Sequence, residues 1–85
     1  MQEFEYTVTD ADGIHARPAG LLVRAVKPLS SQVFLSCGEK TADARKLLAV
    51  MSLGVRCGDT LTVRVSGENE KQDAQAVKSF LSEHL

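Results

Sequence analysis

The chain has no tryptophan, one tyrosine and three phenylalanines, too few aromatic rings for the base-stacking platforms that single-stranded nucleic acid requires. Cysteine is scarce as well. Cys37 and Cys57 stand twenty residues apart, with no CxxC spacing and no nearby histidine pair. That argues against a disulfide scaffold and a metal centre, and both are read as packing residues. Glu3 and Glu5 interrupt what would be a leader, and no apolar run approaches the roughly 20 residues of a membrane span. A cytoplasmic protein with reduced thiols is therefore expected. Neither charge sign dominates. Ten basic and eleven acidic side chains give a net charge of −1, which excludes bulk attraction to nucleic acid or membranes. Repeats, low-complexity tracts and linkers are also missing, so residues 1–85 make one small domain.

What is present is a regular alternation of short patterns. Phe4, Tyr6 and Val8 alternate with Glu5 and Thr7, a strand with one buried face. A polar stretch, Thr9 to Gly13, leads to a helix over about 16–27 that buries Ala19, Leu22, Val23 and Val26 and stops at Pro28. Val33, Leu35 and Cys37 form a second strand, and Gly38-Glu39 turns it into a short third one around Lys40–Ala42. Asp43 is placed to cap a second helix over about 44–53. Leu61, Val63 and Val65 mark a fourth strand. Asn69, with Gln72 three residues on, predicts a capping box for a last helix that buries Ala74, Val77 and Leu81. His84, near the end of that helix, is given no catalytic role. The order βαββαβα predicts an α+β two-layer sandwich.

The second helix is too apolar for its place. Leu47, Leu48, Val50, Met51 and Leu53 cannot all turn inward in so small a domain. Val50 and Leu53 read as the core pair. Leu47, Leu48 and Met51 are either an ordinary core stripe or an exposed docking patch. Charge is also unevenly spread. Residues 13–56 carry a balance of +5 and the remainder −6, which suggests a cationic face built from the first two helices, although scattered solvated charge would give the same count.

The chemistry-bearing stretch is Gly13-Ile14-His15-Ala16-Arg17-Pro18-Ala19-Gly20. His15 stands at the mouth of the first helix, after a glycine free to take an unusual backbone angle and before a proline that needs no donor in a first turn. Free amides there, the helix dipole and the donor fork of Arg17 together suit a phosphoryl group carried on the imidazole. Asp12 lies near enough to touch the ring, but also reads as an ordinary turn residue. The same amides would equally serve anion binding without chemistry, and a histidine at a helix start is commonly no more than a solvated cap.

The GIHARPAG stretch resembles the phosphorylation-site segment of the HPr family, the histidine-containing phosphocarriers of the bacterial phosphoenolpyruvate-dependent sugar phosphotransferase system. Val50-Met51-Ser52-Leu53-Gly54-Val55, the Gly67-Glu68 turn and a closing amphipathic helix extend the likeness along the whole chain. The resemblance implies an open-faced sandwich, with an antiparallel sheet in strand order 1-4-2-3 and three helices on one side. It implies that His15 accepts a phosphoryl group at Nδ1 from phospho-enzyme I and passes it to IIA domains of sugar permeases. Arg17 would help hold the phosphate with the Ala16, Arg17 and Pro18 backbone. No metal or cofactor is implied, and a monomer without independent catalytic activity is expected.

Docking by such carriers would use Gly20, Leu21, Arg24 and Lys27 beside Leu47, Leu48 and Met51, which favours the patch reading of the second helix. One departure stands out. Where many Gram-positive HPr proteins have a regulatory serine, this chain has Lys46, which cannot be phosphorylated by HPr kinase. Ser52 is no substitute on a helix, since six residues rotate it about 240° away. An alternative keeps the same residues in a regulatory module, whose His15 phosphate signals to a transcription factor or enzyme.

Overall fold

The computed structural model describes residues 1–85. In chain order it contains β1 (Gln2–Thr7), α1 (Ala16–Val26), β2 (Gln32–Cys37), β3 (Lys40–Asp43), α2 (Leu47–Ser52), β4 (Thr60–Ser66) and α3 (Glu70–His84). All strand pairs are antiparallel, in the order β1-β4-β2-β3. β4 and β2 are thus the inner strands, and Val63 of β4 sits opposite Phe4 on one side and Leu35 on the other. No helix is long and apolar enough to cross a membrane.

Period-2 alternation decides which face the helices cover. Val33, Leu35, Leu61, Val63 and Val65 are fully buried, whereas Glu3, Glu5, Gln32 and Arg64 on the opposite face meet solvent. The three helices close the apolar side. Leu22 and Val26 from α1, Val50 from α2 and Val77 and Leu81 from α3 complete one core. The other side of the sheet stays open, which gives the open-faced sandwich its two layers.

Four local expectations fail. The second helix starts later than 44, because the Ala44 amide donates to the Val33 carbonyl at 2.9 Å and extends the strand pairing. Asp43 ends β3 instead of capping a helix. Its Oδ1 accepts the Arg45 amide at 2.9 Å and its carbonyl the Lys46 amide at 3.0 Å, a turn that delivers Lys46 as the N-cap residue. Asn69 does occupy the N-cap position of α3, but no capping box forms with Gln72. Its Nδ2 donates to Ser30 Oγ at 3.2 Å, while Glu70 Oε1 accepts the Gly67 amide at 3.4 Å. Cys37 packs against the core as a half-buried residue; Cys57 does not pack, lying exposed with Sγ 3.6 Å from the Thr9 carbonyl oxygen.

One polar knot fixes the α1–β2 connection. Arg45 Nη2 donates to the Leu29 carbonyl at 2.7 Å and the Ser31 carbonyl at 2.8 Å. From α3, the buried Asp73 carboxylate accepts the Ser31 amide at 3.1 Å. These bonds satisfy backbone groups of Leu29 and Ser31 in the connection between α1 and β2, which no strand or helix partner pairs there.

Candidate functional site

His15 is the N-cap residue of α1, with φ −97° and ψ −175°. Its carbonyl accepts the Ala19 amide at 3.0 Å and so closes the first turn. The ring does none of the capping. The side chain makes no cap hydrogen bond and is exposed. The Ala16 and Arg17 amides have no acceptor within the chain, and Pro18 has no amide hydrogen to offer. Two free donors at the positive end of an 11-residue helix therefore adjoin an unengaged imidazole.

The loop that holds this residue is clamped at both ends. Gly13 adopts φ +65°, and a β-carbon there would collide with the Val55 carbonyl and lie 2.8 Å from Arg56 Cα. The same Val55 carbonyl accepts the Ile14 amide at 3.1 Å, and the Ile14 side chain is buried. Upstream, the Leu85 carbonyl accepts the Thr9 and Asp10 amides at 2.6 and 2.8 Å and the Thr9 hydroxyl at 2.9 Å. Asp10 Oδ1 accepts the Asp12 amide at 2.8 Å, the short turn that the polar stretch predicts. Contacts from the segment after α2 and from the end of α3 thus set where His15 projects.

Two depressions flank the ring. An open cleft of about 400 Å³ is lined by Asp10, Asp12, His15, Arg17, Pro18 and Leu21, with Glu83 and His84 from the end of α3. Asp10, Asp12 and His15 each place a side-chain oxygen or ring nitrogen within 4.8 Å of the others. His84 also lies against the Phe80 ring, 4.4 Å between centroids. A groove of about 510 Å³ runs between α1 and the start of α2, lined by Arg17, Gly20, Leu21, Val23, Arg24, Lys27, Arg45 and Leu47. Arg17 borders both.

The groove brings together five of the seven residues expected at a docking surface. Leu48 and Met51 lie outside its lining but remain on the surface of α2, 79% and 38% exposed, with Leu47 at 41%. Val50 and Leu53 are buried, which resolves the apolar excess of this helix into a core pair and an exposed triad. The cationic face is narrower than the charge count suggests. Arg17, Arg24, Lys27 and Arg45 share the groove, whereas Lys40 lies on β3 with Nζ 3.4 Å from the Ser52 carbonyl oxygen. Lys46 is exposed at the cap of α2. Because Lys46 precedes the helix with φ −110° and ψ 106°, a helical rotation of about 240° does not describe its position relative to Ser52. Ser52 Oγ is engaged instead, donating to the Leu48 carbonyl at 2.7 Å.

Sequence reading missed Val23, Arg45, Asp10, Glu83 and His84 as neighbours of this region. Asp10 had a local signal, the Asp-x-x-Gly turn pattern, and Val23 lies on α1 three residues from Gly20; Arg45, Glu83 and His84 reach the site through packing between elements distant in sequence.

The chain matches the PTS-HPr family, described as the PTS HPr component phosphorylation site, over residues 2–83. It is 39% identical over 83 residues to the phosphocarrier protein HPr of Lysinibacillus sphaericus, covering 98% of this chain and 94% of that one. Its structure is similar to the histidine-containing phosphocarrier protein of a mycoplasma, with a TM-score of 0.92, 28% identity and coverage of 96% and 93%. An HPr from Thermoanaerobacter tengcongensis also superimposes with a TM-score of 0.92, at 28% identity and coverage of 99% and 94%. With the family segment matched over nearly the whole chain and the strand order and helix placement in agreement, the chain belongs to the HPr family of phosphocarrier proteins of the phosphotransferase system.

Proposed function

We propose that the protein is a cytoplasmic, monomeric phosphocarrier that takes a phosphoryl group on His15 from phospho-enzyme I and hands it to IIA domains of sugar permeases. The observation that carries this reading is the exposed His15 ring at the start of α1, beside the unpaired Ala16 and Arg17 amides. Nucleophilic attack needs a neutral ring with an open lone pair, and this ring has no intramolecular partner to displace.

The Nδ1 pair forms the new N–P bond as the donor's N–P bond breaks, and the departing pair returns to the donor ring. The proton on Nε2 stays in place, so the charge created on one imidazole is lost from the other. The phosphoryl oxygens face the Ala16 and Arg17 amides and the Arg17 guanidinium. Onward transfer repeats the exchange in reverse. A shallow, open site suits that reversibility, since a closed cage would hold the group too firmly to release it. The protein is a carrier between catalysts and needs no cofactor of its own.

The groove between α1 and α2, with the exposed Leu48 and Met51 beside it, supports docking on acidic partners through Leu21, Leu47, Leu48 and Met51 and a rim of Arg24 and Lys27. Lys46 takes the place of the regulatory serine, so this carrier lacks kinase control at that position.

The test is phosphorylation by phosphoenolpyruvate and enzyme I, followed by addition of a IIA domain. Acid-labile label on His15 that then moves to the IIA domain is expected, with none taken up by His15→Ala. Label retained by His15→Ala removes the assignment, and label that enters His15 but never leaves it favours the signalling module instead.

A further inference from the structure

His15 stands on a boundary between opposite charges. On the groove side are Arg24, Lys27 and Arg45; on the cleft side are Asp10, Asp12 and Glu83, with Arg17 bordering both. The ion pairs in the molecule are Met1 with Glu70 and Arg64 with Glu3, so neither Asp10 nor Asp12 is held in an ion pair. Both carboxylates reach to within 4.8 Å of a His15 ring nitrogen, and Asp12 and His15 are exposed while Asp10 is half-buried. Asp10 has a second task, because its Oδ1 accepts the Asp12 amide at 2.8 Å and so holds the pair together.

A nucleophile awaiting an anionic phosphoryl group gains nothing in affinity from two unpaired carboxylates beside it. We propose that Asp10 and Asp12 set the phosphoryl-transfer potential of His15, opposing accumulation of the group on the ring and thereby favouring its onward passage. The inference rests on the carrier reading above. In the exchange, the N–P bond on His15 forms as that on the donor breaks, and no other atom changes partners. The carboxylates enter only through the energy of the phosphorylated state, which the helix amides and Arg17 lower. They raise it by net repulsion, because the roughly two negative charges of the phosphoryl group outweigh the positive charge the ring gains. They act through His15 and the phosphate field and are positioning residues, not catalytic ones.

Removing both charges without disturbing the turn isolates the effect, because an asparagine at position 10 keeps an Oδ1 acceptor for the residue 12 amide. The equilibrium constant for phosphoryl exchange with phospho-enzyme I is measured by phosphorus NMR for the full chain and for D10N/D12N. Glu5→Gln, on the solvent face of the sheet, serves as the charge-change control. The double variant is expected to hold about three- to thirty-fold more phosphoryl group at equilibrium, and that gain should shrink at about 1 M salt, where screening is strong. Glu5→Gln should leave the constant unmoved. An unchanged or lowered constant in D10N/D12N, or a gain that is the same at both salt concentrations, overturns the proposal. Failure of the unaltered chain to accept label at His15 would instead bring down the carrier reading on which it rests.

Discussion

Gly13 and Val55 are in contact so close that only a residue without a side chain fits between the loop and the segment after α2. The Val55 carbonyl blocks the β-carbon position at Gly13 and also accepts the neighbouring Ile14 amide. Both the positive φ of +65° and the lack of space demand glycine, and the pair of constraints aims the next exposed residue, His15, out of the fold.

Gly13→Ala should therefore damage stability and function together. A non-glycine residue in the left-handed region costs about 1–2 kcal/mol, and the collision adds to that. The urea midpoint should fall, and the fraction that stays folded should accept phosphoryl groups more slowly than the unaltered chain. A variant with unchanged midpoint and rate would show that the loop tolerates displacement.

Arg17 makes no ion pair and borders both depressions beside His15. A charge-assisted hydrogen bond to phosphate contributes about 1.5–3 kcal/mol, so Arg17→Ala should slow phosphoryl transfer by roughly ten- to a hundredfold with the fold intact. Rapid-quench kinetics would measure the rate and circular dichroism the fold. Arg17→Lys should recover only part of the rate, since a point charge replaces a planar fork.

Leu48 is the most exposed leucine of α2 and packs against nothing in the core. Leu48→Asp should leave the unfolding free energy from urea denaturation within about 0.5 kcal/mol of its original value. Affinity for enzyme I should drop by at least about tenfold, a change titration calorimetry would detect. Leu22→Ala should show the reverse pattern. It removes a fully buried side chain and should cost about 2–5 kcal/mol of stability, with little direct effect on docking.

Lys46, exposed at the head of α2, has no hydroxyl to modify. Incubation with an HPr kinase and ATP should leave it unlabelled. Mass spectrometry would locate any phosphoserine, and one that alters enzyme I affinity would contradict the loss of kinase control.

Acid should weaken the fold partly through Glu70. Its hydrogen bond to the Met1 ammonium, and then that to the Gly67 amide, hold the carboxyl below its ordinary value of 4.5. A lowered folded-state pKa means that the stabilisation is complete above that ordinary value and is lost as pH falls through the folded one. Glu70→Gln should lower the urea midpoint near neutrality and flatten its decline from neutrality to about pH 2. Identical acid limbs would show that these contacts contribute nothing.

Residue order and periodicity alone determine the seven elements, the buried stripes and the reactive segment. Alternating Leu61, Val63 and Val65 can bury only one face, and Gly13-Ile14-His15 followed by Pro18 leaves an imidazole at a helix mouth. These patterns are local consequences of backbone geometry. Tertiary structure decides the rest. The start of α2 moved because Ala44 found the Val33 carbonyl, a pairing set by the sheet. In place of the α3 capping box, Asn69 donates to Ser30, from another connection. Glu83 and His84 enter the His15 cleft only because Leu85 ties the end of α3 to the Thr9–Asp10 backbone. Contacts between residues far apart in sequence depend on how whole elements pack, and spacing along the chain carries no record of them.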